Sequence, residues 1–424
     1  MKKINTSPIS GMQELLPEAQ ATFNDLKNKI NETYLEHGFL NIETPMIDRT
    51  EILLAKAGGD TEKQIYKVVK TAETADDADQ ALRFDHTVPL ARYVVEHEND
   101  LKFPFKVTQI GRNFRGERAQ RGRFREFYQC DVDVIARGEL PIYYDADVIS
   151  TLLDAFSRFE LNTPVLARIS NRKILSGLLQ EFNHEAKSEE IFGIIDHSEK
   201  VPFEATRDAL AEIGLGVERV EAILKFIEVR GARIEAVRAL EELGIQNEMF
   251  WAGVNELDEV MKLLEADGRA AEICADMKIV RGLDYYTGTV FEFNLPEYKH
   301  VGSVCGGGRY ENLAGYFTDQ KLPGVGGSIG LTRLFYVLNE NNLVKSQMEK
   351  PVDMAIVPIS QNELEFAMKV AGERRSQGEK VAVVGTDKKF GDKMKYAAAV
   401  AKKCIVLGES EVESGKYEIK IFED

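Results

Sequence analysis

Six arginines crowd into 14 residues of this chain: Arg112, Arg115, Arg118, Arg121, Arg123 and Arg125, in GRNFRGERAQRGRFREF, opposed there by Glu117 and Glu126 alone. The runs on either side have strand character. FKVTQIG precedes the cluster, and EFYQCDVDVI follows it with Phe127, Gln129, Asp131 and Asp133 on one face and Tyr128, Cys130 and Val132 on the other. The pattern predicts two antiparallel strands joined by a long polar loop. Arginine's rigid fork suits bidentate contact with phosphate oxygens. Such a cluster at a hairpin tip suits a nucleotide phosphate on one side and an RNA end on the other. A solvated, charged hairpin is the competing reading; the Arg-x-Glu before the loop and the Phe-x-x-x-Asp after it weigh against it.

The cluster stands out because the chain as a whole is acidic, with a net charge of -16. That balance argues against a general nucleic-acid binder and confines any such contact to local basic patches. A length of 424 residues predicts two or three domains, and 44% hydrophobic with 29% charged residues is ordinary for a globular protein. MKKINTSPIS lacks the apolar run of a secretory signal, and no run of apolar residues is long enough to span a membrane. The four cysteines, Cys130, Cys274, Cys305 and Cys404, form no C-x-x-C pair, and the histidines show no H-E-x-x-H or other metal spacing. Reduced thiols, a cytoplasmic location and no protein-only metal site are therefore expected.

Along the chain, 19–37 reads as an amphipathic helix through Phe23, Leu26, Ile30 and Tyr34, stopped by Gly38, and 39–47 (FLNIETPMI) as a strand with a break or edge at Pro45. Segments 203–213, 217–229 and 232–243 carry helical spacing punctuated by Gly214, Gly216 and Gly231, which predicts a helical insertion over 172–260 within a first domain made of 1–171 and 261–340. Strand character returns at 277–293 and in the glycine-rich 301–309, and PGVGGSIG at 323–330 runs directly into a helix near Leu331. A polar linker at 341–350 leads to DMAIVPI, KVAVVG, CIVLG and YEIKIF, which alternate with helices near 361–377 and 390–402: a small α/β domain over 351–424. The fold class expected is thus α+β with an α/β appendage.

Three further segments invite chemistry. In MKIVRGLDYYTG, Arg281 sits between a β-like run and two tyrosines, where it serves either a ligand or an ion pair with Asp284. In GSIGLTRLF, Arg333 opens a helix behind a glycine-rich strand, where a ligand or a neighbouring backbone can come close. Neither a Walker loop nor a strand-linked G-x-G-x-x-G occurs. In LRFDHTVPLAR, the alternation Arg83, Asp85, Thr87 points one way if extended, and a carboxylate beside a hydroxyl suits an ammonium group; His86 is either an acid–base group or structural.

Taken in order, these segments resemble the three motifs of class II aminoacyl-tRNA synthetases: GFLNIETPMID motif 1, FRGER…RFREFYQCD motif 2, and GVGGSIGLTRLF motif 3. Within that class, IVRGLDYYTGTVFEF at 279–293 and VCGGGRY at 304–310 resemble the histidyl-tRNA synthetases alone. The C-terminal LEFAMKVAGERRSQGEKVAVV and KMKYAAAVAKKCIVLGESE are similar to that family's anticodon-binding domain, and the lysines of DKKFGDKMKYAAAVAKK support RNA contact there or a solvated helix face. The resemblance implies an antiparallel catalytic sheet with a helical insertion, a homodimer formed partly through motif 1, ATP with Mg2+, and the substrates histidine and tRNA(His). It implies Arg115 on the α-phosphate, Glu117 at the adenine edge, Phe127 under the ring, Arg333 on the γ-phosphate, and Arg281 on both the α-phosphate and the histidine carboxylate. Asp85, His86, Thr87 and Gln129 fall at the amino-acid ammonium and its surroundings. Asp133 and Tyr286 fall at the imidazole nitrogens, Tyr285 and Tyr310 in the pocket wall, and Gln120 and Arg125 near the tRNA acceptor end. The chain departs from the commonest bacterial pattern in Asp85, where many members carry glutamate, and in Glu14, where aspartate is usual. Paralogues that regulate histidine biosynthesis usually lack the C-terminal domain and lose motif residues, whereas this chain keeps both; synthetases for proline, threonine or glycine lack the RGLDYY segment.

Overall fold

The computed structural model describes residues 4–55, 62–72, 74, 78–280, 286–344 and 350–422. It divides into two compact units, Met1–Leu15 with Phe23–Lys345, and Leu16–Thr22 with Ser346–Asp424. The strands are β1 Leu40–Asn41, β2 Ile47–Arg49, β3 Lys67–Val68, β4 Gln80–Leu82, β5 Phe105–Phe114, β6 Glu126–Ile135, β7 Leu166–Asn171, β8 Arg230–Gly231, β9 Ile273–Asp276, β10 Tyr286–Asn294, β11 Cys305–Tyr310, β12 Gly324–Ile329, β13 Val352–Pro358, β14 Val381–Val383, β15 Ala401–Leu407 and β16 Ile419–Ile421.

Among the described residues, the larger unit is built on a nine-stranded sheet in the order β1-β5-β6-β12-β11-β10-β7-β9-β8. Its centre, from β5 to β7, is antiparallel throughout. The β5–β6 hairpin runs without slippage from Phe105↔Ile135 to Phe114↔Glu126, the antiparallel pair that the two strand-like runs predicted. The helix Pro17–Glu36 buries Phe23, Leu26, Ile30 and Tyr34, and the Tyr34 hydroxyl donates to the Cys130 carbonyl at 3.1 Å. Phe23 meets Tyr128 and Phe335 edge-on, with centroids 5.4 and 5.5 Å away. Gly38, at φ +81, ends that helix in the left-handed conformation that glycine adopts without strain.

Three expectations need correction. FLNIETPMI is not one strand: β1 pairs parallel with β5, whereas β2 joins a separate three-stranded sheet, β2-β4-β3. Pro45 lies between them and cannot donate to a ladder, so the chain changes sheets there. The strand expected over 301–309 begins only at Cys305, and Pro296–Val301 forms 3-10 turns. Of the strand expected over 277–293, the described residues form only β10, from Tyr286; β9 ends at Asp276, before that stretch begins.

Residues 172–266 are largely helical: Arg172–Glu181, Ser188–His197, Phe203–Glu212, Val217–Glu228, Arg233–Glu241 and Glu248–Ala266. They belong to the same compact unit as the sheet, and β8 within them pairs with β9 at the sheet's edge. The first and last of these helices cross at glycines. A Cβ on Gly177 would lie 2.2 Å from the Phe250 nitrogen, and one on Gly253 would lie 2.7 Å from that of Ile174. No helix among the described residues is long and apolar enough to cross a membrane.

The smaller unit carries a sheet in the order β14-β13-β15-β16, parallel across the first three strands and antiparallel at the last. Alternation along β13 explains its two cores. Met354 and Ile356 pack with Val370 of helix Leu364–Ser376, and Ala355 and Val357 pack with Ala397 of helix Phe390–Val400. Lys393, from the lysine-rich segment, is buried, and its ammonium donates to the Pro358 carbonyl at 2.9 Å.

Candidate active site

β6 lies inside the large sheet with β5 on one side and β12 on the other, so its alternation sets the site. Asp133 faces Gly326 and Asp131 faces Ser328 across the β6–β12 ladder. The missing side chain at 326 is required: a Cβ there would sit 2.0 Å from Asp133 Oδ1. The glycines of β11 and β12 thus leave a polar cavity of about 190 Å³ over the sheet. Asp85, Thr87, Arg115, Gln129, Asp131, Asp133, Tyr286, Glu292, Tyr310 and Ser328 line it.

At one end the Tyr310 hydroxyl donates to Asp133 Oδ1 at 3.0 Å. Burial, and then the neighbouring Asp131 charge, push the Asp133 carboxyl up to about 8, so it is largely protonated near neutrality. Asp85 Oδ1 accepts from the backbone N–H groups of Thr87 at 3.0 Å and Val88 at 3.1 Å, the opening of helix Thr87–Glu96. Burial raises the Asp85 pKa, against the opposing pull of the Val88 N–H and Arg115. Gln129 accepts from Asn113 Nδ2 and donates to Ser328 Oγ, both at 2.8 Å, and the Ser328 hydroxyl donates to Asp131 Oδ1. Such a connected network fixes the orientation of every member. The Glu292 carboxyl, in the wall of the same cavity, is raised to about 7 by burial.

Arg115, Gln129, Gly306 and Ser328 also line a second cavity of about 400 Å³, together with Glu117, Phe127 and Arg333. The Arg115 guanidinium lies between the Phe84 and Phe127 rings, 4.3 and 5.0 Å from their centroids, and its Nε donates to the Phe84 carbonyl at 3.3 Å. Arg333 leaves the first turn of helix Leu331–Glu340 and donates to the Val301 carbonyl; burial, then Arg123, lower its pKa. The preceding Thr332 hydroxyl accepts from the Tyr128 N–H at 2.7 Å and ties that helix to β6.

The structure therefore brings together Asp85, Thr87, Arg115, Gln129, Asp133, Tyr286 and Tyr310 in the first cavity, and Arg115, Glu117, Phe127 and Arg333 in the second. Arg281 and Tyr285 lie outside the described residues, as does Asp284. His86 lines neither cavity. It is buried behind the wall, with Nδ1 3.2 Å from Asp131 Oδ2, an ion-pair approach not aligned as a hydrogen bond. The extended run expected through Arg83, Asp85 and Thr87 does not form, because β4 ends at Leu82 and a helix begins at Thr87. Buried Arg83 is structural, donating to the carbonyls of Thr44 at 2.7 Å and Arg112 at 2.9 Å. Arg125 also turns away from both cavities: its Nε donates to the Glu117 carbonyl at 3.0 Å and its Nη1 to the Ser10 carbonyl at 3.3 Å. Gln120 pairs with Arg123 at the loop tip. Asp131, Ser328 and Glu292 were not expected as site residues, although the alternation of β6 already put Asp131 on the face of Gln129 and Asp133.

A family profile for histidyl-tRNA synthetase matches residues 11–334, and one for an anticodon-binding domain matches 353–424. The chain is 42% identical over 427 residues to the histidine–tRNA ligase of Clostridium tetani, covering 100% of this chain and 96% of that one. It is 42% identical over 424 residues to that of Clostridium acetobutylicum, covering 99% and 96%. The crystal structure of histidyl-tRNA synthetase from Nostoc sp. PCC 7120 superposes with a TM-score of 0.87 at 34% identity, covering 99% of this chain and 95% of that one. A polar cavity that shares Arg115 and three other residues with an arginine- and phenylalanine-lined one is thus found in a chain that belongs to the histidyl-tRNA synthetase family, the ligases that activate histidine with ATP and transfer it to tRNA.

Proposed function

We propose that the two joined cavities divide the family's reaction between them, the first holding histidine and the second ATP. The observation that carries this reading is that Arg115 lines both, so a single guanidinium reaches the junction where the two substrates must meet. Asp133 and Tyr286 address the imidazole nitrogens, with Tyr285 and Tyr310 in the wall. Largely protonated, Asp133 donates to the bare ring nitrogen while Tyr310 holds its other oxygen. A pocket that hydrogen-bonds its substrate rejects analogues lacking those groups by a factor of roughly 10⁴ or more. Asp85, Thr87 and Gln129 hold the ammonium end, and His86 supports them from behind through Asp131.

In the second cavity Phe127 stacks on the adenine, Glu117 meets its edge and Arg333 takes the γ-phosphate. As the histidine carboxylate attacks the α-phosphate, charge builds on the phosphate oxygens. Arg115, positioned beforehand by the Phe84 carbonyl and two aromatic rings, stabilises it without reorganising, and Arg281 supplies a second guanidinium charge. Mg2+ neutralises triphosphate charge when bound, and it binds through phosphates plus one or two carboxylates. Glu292, a buried carboxyl in the wall of the first cavity opposite Gly306, which lines both, would be an oxygen donor of that kind. Gln120 and Arg125 guide the tRNA(His) acceptor end, Arg125 by holding the shape of the loop. The division into 1–171 with 261–340, an insertion at 172–260, a linker at 341–350 and an anticodon-binding domain at 351–424 belongs to the same reading, as do a homodimer formed partly through the 38–48 segment and a cytoplasmic location.

The test is amino-acid-dependent ATP–pyrophosphate exchange with each of the twenty amino acids, on wild type, Arg115→Ala and Arg281→Ala. Exchange with histidine alone, largely lost in both variants, is expected. Full exchange in Arg115→Ala would overturn the two-cavity assignment.

A further inference from the structure

A third cavity, of about 730 Å³, opens beyond Arg333. It shares Gly122, Arg123 and Arg333 with the nucleotide cavity and no residue with the histidine cavity. The three spaces therefore follow one another, with the nucleotide cavity in the middle. Six cations line the third, Arg121, Arg123, Arg168, Lys200, Arg230 and Arg333, against the carboxylates Glu199 and Glu340. Most of these cations are already matched. Arg168 pairs with Glu199 and Asp276, Arg230 lies 3.2 Å from Asp276, Arg121 lies 3.5 Å from Glu340, and Arg123 lies 3.4 Å from Glu117. Among the described residues, Lys200 and Arg333 have no carboxylate within ion-pair distance. The cavity thus carries a cationic surplus whose inner end is the residue assigned to the γ-phosphate.

We propose that this cavity is a pyrophosphate site, in which Lys200 and Arg230 of the helical segment receive the leaving group beyond Arg333. The proposal rests on the assignment of histidine and ATP above. In adenylate formation a histidine carboxylate oxygen bonds to the α-phosphorus, and the bond from that phosphorus to the oxygen bridging to the β-phosphate breaks. The electron pair stays on that oxygen, and pyrophosphate departs with its charge. Attacking and leaving oxygens lie roughly in line. Since histidine enters from the first cavity, pyrophosphate leaves on the opposite side, which is the side of the third. Arg333 and Arg123, common to both spaces, hand it across.

The experiment is histidine-dependent ATP–pyrophosphate exchange on the full chain, with pyrophosphate varied, for wild type, Lys200→Ala, Lys200→Arg and Arg230→Ala. Lys200 is exposed and in no buried pair, so its removal leaves the fold intact. Loss of one charge-assisted contact raises the KM for pyrophosphate about tenfold. The KM values for histidine and ATP stay within about twofold on the same reasoning, and Lys200→Arg restores the wild-type value. An unchanged pyrophosphate KM in both alanine variants overturns the proposal. If the KM for tRNA in aminoacylation rises instead, the cavity is a passage for the RNA end. Failure of wild type to exchange with histidine would sink the two-cavity reading itself, a result distinct from either.

Discussion

Replacing Gly326 by alanine tests whether the β12 backbone sets the selectivity of the histidine cavity. An added Cβ would stand 2.0 Å from Asp133 Oδ1 and 2.9 Å from the Val132 carbonyl, where real Cβ contacts stay beyond 3.0 Å. The carboxyl must retreat by about 1 Å, the difference between those limits. It cannot do so and keep the 3.0 Å bond from the Tyr310 hydroxyl. The substrate bond from the same carboxyl is misplaced with it. Losing a hydrogen bond at a buried polar group costs roughly 1–3 kcal/mol. At about 1.4 kcal/mol per factor of ten, the KM for histidine rises roughly 5- to 140-fold. The KM for ATP stays unchanged, because Gly326 does not line the nucleotide cavity. Histidine and ATP titrations of the exchange reaction measure both, with a thermal melt to confirm that the variant is folded. A histidine KM within about twofold of wild type would show that Asp133 is not held where the imidazole needs it.

Two further outcomes concern stability. Arg309 reaches buried Asp145 through Nη2 at 2.6 Å and Nε at 3.0 Å, and also donates to the carbonyls of Leu140 and Pro141; Arg309→Ala strands that carboxylate and lowers unfolding free energy by about 3–5 kcal/mol in a urea titration, whereas an unshifted midpoint would rule this out. Asp133 is raised from 3.8 to about 8 in the fold, so the fold binds its proton more tightly than the unfolded chain does; its contribution is full below about pH 4 and is lost as pH climbs through about 8. Wild type without histidine should therefore lose stability relative to Asp133→Asn across that window, and a difference in melting temperature that does not vary with pH would refute the shift.

What the sequence disclosed follows the range of the forces involved. Periodicity is local, so the β5–β6 hairpin, the helix Pro17–Glu36, the passage from β12 into its helix and the alternation of the C-terminal unit were all legible. Pairings across long stretches of chain were not. Pro45 signalled a break or an edge, but nothing near it announces which strands β2 joins beyond it. Nothing near Asp145 announces Arg309, and nothing in LRFDHTVPLAR announces that His86 will stand against Asp131. The cavity proposed for histidine draws on six separate segments, and only the resemblance to a known family linked them beforehand.

The arginines show where reading by residue type runs out. Arg83, Arg115, Arg125 and Arg333 look alike in sequence, each beside glycines, aromatics or acids. In the fold, Arg83 and Arg125 spend their donors on backbone carbonyls that connect distant segments, Thr44 and Arg112 for one, Glu117 and Ser10 for the other. Arg115 has the Phe84 carbonyl and the faces of Phe84 and Phe127 among its partners, Arg333 has the Val301 carbonyl, and both line the second cavity. A guanidinium carries five N–H donors. A carbonyl that holds one edge of it fixes its position while the residue still lines a cavity. That placement beside a cavity separates Arg115 and Arg333, the two proposed for phosphate, from the two that hold the chain together, and it depends on contacts between segments that local sequence does not encode.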